Sequence, residues 1–146
     1  MSKNPTREKL KATRSKIKQH VRSKGEKADF ELTESFCLYW WHRLNEAVFD
    51  GMLTPPVRFE LRNFRDSLGW CMPWRPNAKK QCVIIGMSTY ILERREFLCI
   101  LAHEMVHQWE WEVANKWETN IAHGERFFSW RGKLRMRVGL PLQRTY

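Results

Sequence analysis

Within Leu98–Val113, LCILAHEMVHQWEWEV, two histidines and a glutamate sit in the middle of the most apolar helical stretch of the chain. Burying two imidazoles and a carboxylate without partners is costly. A fold that takes this helix into its core must therefore give those groups something to bind. Residues four apart on a helix lie about 40° apart around the axis and one turn along it. His103 and His107 thus project from one face and can reach a single cation. Zinc accepts imidazole nitrogen at about 2.0–2.1 Å. Glu104, rotated by about 100° from His103, misses the first coordination sphere but reaches a water bound there. The pattern His-Glu-x-x-His places two ligands and one general base on a single helical turn.

Catalytic zinc needs a third protein ligand and an open water position. One known pattern puts Gly three residues and His six residues after the second His. Glu110 and Val113 stand there, so that class is excluded. His123, in AHGERF at the head of the next helical segment, is the preferred third ligand; Glu125 is the second choice and Glu118 is also available. One zinc ion per chain is expected. The chemistry would be hydrolysis, with Glu104 taking a proton from water as it attacks a carbonyl and passing it to the leaving amine. Tyr90 and Arg126 are candidates for stabilising the oxyanion.

A chain of 146 residues, 42% hydrophobic and 13% aromatic, suits one folded domain with a real core. The start, MSKNPTREKLKATRSKIKQ, has no apolar segment of signal-peptide length, and no run nears the roughly 18 apolar residues of a membrane span. A soluble intracellular protein is expected, cytoplasmic or associated with nucleoid or nucleus, not secreted and monomeric. Cys37, Cys71, Cys82 and Cys99 form no Cys-x-x-Cys pair, which argues against a cysteine zinc knuckle. A contact between Cys71 and Cys82 across a hairpin is the one pairing that suggests itself.

The net charge of +10 points to a polyanionic partner, most simply DNA bound without sequence preference. Residues 1–30 hold ten Lys/Arg against three acidic residues, a surplus of 10 − 3 = 7. Apolar residues are sparse there, which predicts a basic arm, helical at most in part, ahead of a domain over 31–146. Lys11, Arg14 and Lys18 are its candidate phosphate contacts. A second basic group, Arg75, Lys79 and Lys80, sits beside Trp74 at a predicted hairpin tip and could stack an unpaired base. A third, Arg126, Arg131, Lys133, Arg135 and Arg137, is spread around the last helix and forms no single stripe.

The order of elements is α+β. Thr33 is an N-cap for a helix carrying Phe36, Tyr39, Trp40, Leu44, Val48 and Phe49 at helical spacing, stopped by Asp50-Gly51. VRFELRN (57–63), SLGWCMPW (67–74) and QCVIIGM (81–87) read as strands, the last two as a hairpin. A helix follows from Arg94 to Asn115. A last helix begins at Glu125 and is ended by Pro141.

On these residues the chain resembles the SprT-like metalloproteases, which include the Spartan-type DNA-dependent proteases. The resemblance runs from Leu32 to Leu140. It rests on FCLYWWHRLNEAVFDGML with Asn45, Phe49, Gly51 and Leu53, on SLGWC and CVIIGMS, on LAHEMVHQW, and on HGERF with its His-Gly-x-x-Phe spacing. It implies a small zincin-like domain with His103, His107 and His123 as zinc ligands and Glu104 as the catalytic residue. Spartan-type members cut proteins crosslinked to DNA, with DNA as activator. Many relatives carry a four-cysteine zinc ribbon after the core; this sequence reaches Tyr146 without that pattern, so either DNA binding has moved elsewhere, with the basic arm as the obvious replacement, or the protein is not DNA-dependent. The expected function is a zinc-dependent endopeptidase acting on DNA-associated proteins, with Trp70 and Trp74 on a cleft-edge strand that binds substrate backbone. The rivals are a DNA-binding accessory protein with a zinc-stabilised fold and a metal-dependent amidase acting on a small molecule.

Overall fold

Thr33 has extended backbone angles, φ −121° and ψ 163°, and its hydroxyl accepts the Phe36 N–H at 3.1 Å, which starts helix α2 (Glu34–Ala47) as the sequence predicts. The computed structural model describes residues 5–22, 31–74, 82–114 and 123–144. Cys37, Trp40, Trp41 and Leu44 recur at helical spacing and are buried. Beyond α2, Asp50 and Gly51 both take left-handed angles, and the chain folds back on itself. The buried Asn45 side chain fixes that reversal, donating to Leu53 O at 3.2 Å and accepting from Leu53 N at 3.1 Å. The last carbonyls of α2 find cations. Arg14 Nε donates to Ala47 O at 2.9 Å, and the Arg137 guanidinium donates to Val48 O and meets Asp50 Oδ1 at 3.2 Å.

Arg14 belongs to α1 (Arg7–Arg22), the helical part of the basic segment, which packs on the domain over those residues. Leu10, Ile17 and Val21 are seven and four residues apart and share one face. That narrow stripe is enough to dock a helix whose other positions are charged, and Ile17 and Val21 are buried. His20 Nδ1 lies 3.0 Å from Arg94 Nη1 and its ring meets the Trp40 ring edge-on at 5.1 Å, which ties α1 to α2 and to the start of α3.

Three strands form the sheet: β1 (Phe59–Arg62), β2 (Gly69–Trp74) and β3 (Cys82–Ser88), in the order β1-β3-β2. β1 runs parallel to β3 and β2 antiparallel to it, with Gly69 opposite Met87 and Trp74 opposite Cys82. The expected hairpin is therefore present, though its tip, residues 75–81, lies outside the described residues. Cys71 faces Ile85 in this register rather than Cys82, and neither is in a disulfide; the Cys82 thiol donates to Trp74 O at 3.0 Å. Val83–Ser88 is buried without a break, as a central strand covered on both faces requires. One face packs under α3. On the other, the Trp70 ring lies over Gly86, where a Cβ would stand 2.2 Å from it. Gly86→Ala should displace the indole and cost about 1–3 kcal/mol, read as a lower denaturation midpoint. An unchanged midpoint would contradict this packing.

Helix α3 (Arg94–Glu112) is the centre of the domain, buried without interruption from Phe97 to Val106. Two of its polar residues, Gln108 and Glu112, form a bound network. Gln108 accepts from Trp41 Nε1 at 2.9 Å and donates to Thr54 O and Glu112 Oε2 at 2.6 Å each, while Thr54 N donates to Glu112 Oε1 at 2.8 Å.

The predicted last helix is two: α4 (Glu125–Phe128) and α5 (Arg131–Val138). The Ser129 hydroxyl donates to Arg126 O at 2.6 Å, taking the acceptor that an unbroken helix would offer to Trp130 N–H. Trp130 N–H reaches Phe127 O instead, at 3.4 Å. Helix α5 ends at left-handed Gly139, φ 73°, ahead of Pro141. Among the described residues no helix is long and apolar enough to cross a membrane.

Candidate metal centre

His103 and His107 project from the same face of α3, and the chain brings His123 onto them immediately before α4. The ligand atoms of the three rings lie within 4.8 Å of one another. His123 Nε2 stands 3.2 Å from His107 Nε2 and 3.3 Å from His103 Nε2. A small tetrahedral ion with nitrogen ligands at about 2.0–2.1 Å has ligand–ligand edges of about 3.3 Å. The two separations from His123 match such an edge.

The reverse sides of the rings fix this orientation. His103 Nδ1 donates to Gln143 O at 2.9 Å, which leaves its Nε2 as a bare lone pair facing His123. Gln143 is delivered by the segment after α5, where Leu140 and Leu142 are buried and Arg131 Nη2 holds Leu142 O at 3.3 Å. His107 Nδ1 lies 3.4 Å from Glu110 Oε1. Phe127, fully buried on α4, floors the site with its ring 4.7–4.9 Å from all three imidazoles. The phenylalanine of the His-Gly-x-x-Phe spacing thus contacts all three imidazoles, His103 and His123 edge-on and His107 tilted.

Electrostatics agree with a cation site. Burial, then the neighbouring His107 and His123 rings, push the His103 pKa down to about 3, so this ring is neutral near pH 7. Burial also lowers His123, followed by His107 and Arg144. Neutral imidazoles are the form that ligates a metal. Ring nitrogens 3.2–3.3 Å apart that all present lone pairs would repel, and a shared divalent cation would relieve that repulsion. The residues present therefore fit a His₃ metal site.

Glu104 is 5% exposed, and burial raises its pKa to about 8. Its carboxylate lies against edge strand β2. A Cβ on Gly69 would stand 3.3 Å from Glu104 Oε2 and 2.6 Å from Ile100 Cγ2, so the glycine lets α3 approach the strand.

The other sequence candidates lie elsewhere. Glu125 is exposed in the first turn of α4 and is outside the histidine cluster; Glu118 lies outside the described residues. Tyr90 is 64% exposed in the turn after β3, and Arg126 is half-buried on α4. Lys11 is exposed and Lys18 half-buried on α1, whereas Arg14 Nε is engaged by Ala47 O. Trp74 ends β2 with the Arg58 guanidinium 5.5 Å from its ring, and Arg75, Lys79 and Lys80 lie outside the described residues. On α5, Arg131 covers the Phe128 ring and Lys133 the Trp130 ring, so part of that basic group serves packing. Sequence reasoning missed two groups beside the histidines. The Gln143 contact is made by a backbone carbonyl, which no residue type announces. Glu110 was visible at three residues from His107, but its burial was not.

The family model described as the SprT-like family matches residues 38–145. Comparison with curated proteins gives no match.

Proposed function

The chain belongs to the SprT-like family, and from that premise we propose that it is a zinc-dependent endopeptidase acting on DNA-associated or DNA-crosslinked proteins. The observation that carries this reading is the convergence of the His103, His107 and His123 Nε2 atoms beside a buried Glu104. His103, His107 and His123 would hold zinc, which when bound acidifies water and polarises a carbonyl oxygen. Glu104 accepts a proton at a carboxylate oxygen as water adds to the peptide carbonyl, and returns it to the departing amine nitrogen. The buried position supports that role, because desolvation raises the proton affinity of the carboxylate, and a cation held by the neighbouring histidines would keep it ionised until water gives up its proton.

Substrate backbone has a place to lie. β2 borders β3 on one side only among the described residues. Ser88 N donates to Leu68 O, so by antiparallel alternation Gly69, Cys71 and Pro73 turn their main-chain groups outward. An extended peptide can pair with Gly69 and Cys71 beside Glu104, and Pro73, which lacks an N–H, weakens the ladder there. The DNA part of the reading is supported by charge. Arg7, Lys11, Lys18 and Arg22 are spaced four, seven and four residues apart, within one stripe of α1.

The test offers purified protein a substrate protein with and without single-stranded or duplex DNA, across a salt titration. Metal-dependent cleavage that rises with DNA and weakens steeply with salt is expected. Stoichiometric zinc and DNA binding without cleavage would replace this reading with that of a DNA-binding accessory protein.

A further inference from the structure

Glu110 is 3% exposed, and its Oε1 has no hydrogen-bond partner among the described residues, a costly state for a carboxyl oxygen. That oxygen lies 3.4 Å from His107 Nδ1, one helical turn away. It does not belong to the ligand set. It approaches the Nδ1 edge of the ring, whereas Nε2 on the other edge faces His123 at 3.2 Å. The arrangement repeats, with a different acceptor, what the Gln143 carbonyl does for His103 at 2.9 Å. Each helix-borne histidine therefore has an acceptor behind it and the shared centre in front.

We propose that Glu110 is a positioning residue of the metal centre: its carboxyl holds the His107 ring with Nδ1–H turned back and Nε2 turned to the ion, and so sets how tightly the ion is bound. The inference rests on the metalloprotease reading above. Acceptors placed behind ligating imidazoles fix the tautomer and raise ligand basicity, and their loss typically weakens metal binding about 10–100-fold. A merely structural role predicts something else. Helix α3 keeps its apolar surroundings when Glu110 is replaced, and an apolar residue there removes an unpartnered polar atom from the core. Metal affinity and metal-free stability should therefore move in opposite directions.

The experiment measures zinc affinity by competition with a chromophoric chelator, and thermal unfolding of the metal-free form, for wild type, Glu110→Gln and Glu110→Leu. Glu110→Leu should lose about 10–100-fold in zinc affinity while its metal-free form unfolds at the same or a higher temperature. Glu110→Gln keeps an oxygen that can accept from Nδ1–H and should recover a large part of the affinity. Zinc bound as tightly by Glu110→Leu as by wild type overturns the inference. So does an affinity loss that tracks a lower unfolding temperature without recovery in Glu110→Gln, the mark of a packing role. A wild-type protein that binds no zinc overturns the metalloprotease reading, and this inference with it.

Discussion

Glu104→Gln is expected to abolish proteolysis and to leave the metal in place. The carboxamide matches the carboxylate in shape, so the 5% exposed site is neither emptied nor overfilled. What disappears is the ability to take a proton from water and hand it to the amine, a step worth about 10²–10⁴-fold. Loss of proton transfer in both halves of the reaction should put the variant at or beyond the upper end of that range. The three imidazoles and the acceptors behind them are untouched, so zinc content should equal that of wild type. Stability gives an internal control. Burial raises the Glu104 pKa to about 8, so the metal-free wild type must ionise a desolvated carboxyl above that pH, a cost the neutral variant avoids. At pH 9 the metal-free variant should be at least as stable as metal-free wild type. Cleavage at the wild-type rate would remove Glu104 from the mechanism.

Removing the metal changes the pH dependence of stability as well as its size. His103 is held at about 3, below its ordinary 6.5, so it contributes stability that is present above pH 6.5 and lost as pH falls toward 3. Glu104 is held at about 8, above its ordinary 4.5, so its contribution is present below pH 4.5 and lost as pH rises toward 8. Between pH 4.5 and 6.5 the two slopes oppose each other. Metal-free protein should therefore be most stable in that window and lose stability on both sides, by about 1.4 kcal/mol per unit of pKa displacement. Zinc stabilises by mass action, about 4 kcal/mol at a thousand times its dissociation constant. It also favours the ionised carboxylate beside it and the neutral rings that ligate it. Chelation should thus lower the unfolding temperature most near pH 8 and least near pH 5. Unfolding scans with and without chelator from pH 4 to 9 check this. A chelator without effect at pH 8 would contradict it.

What was legible in the sequence was what local geometry carries. His103, Glu104 and His107 share one turn of one helix, so their spacing alone states the chemistry. Thr33 as cap, Asp50-Gly51 as stop and the β2–β3 hairpin follow from single residues and alternation. Features that depend on a distant partner were read less well. Helix α1 buries only Ile17 and Val21, and its charge concealed that narrow stripe. The break between α4 and α5 comes from one hydroxyl competing for one carbonyl, a choice made by geometry rather than by residue type. Pro141 looked like the terminator of the last helix, but Gly139 reaches the left-handed region first. At the site, the Gln143 carbonyl arrives through the burial of Leu140 and Leu142, forty residues from the ring it orients.

The most direct test is elemental analysis of purified protein, run in parallel for wild type and His123→Ala. One zinc per chain in wild type, with loss of most of it in the variant, is the predicted result. A wild type without divalent metal, or a variant that keeps a full equivalent, would contradict a centre built from these three imidazoles.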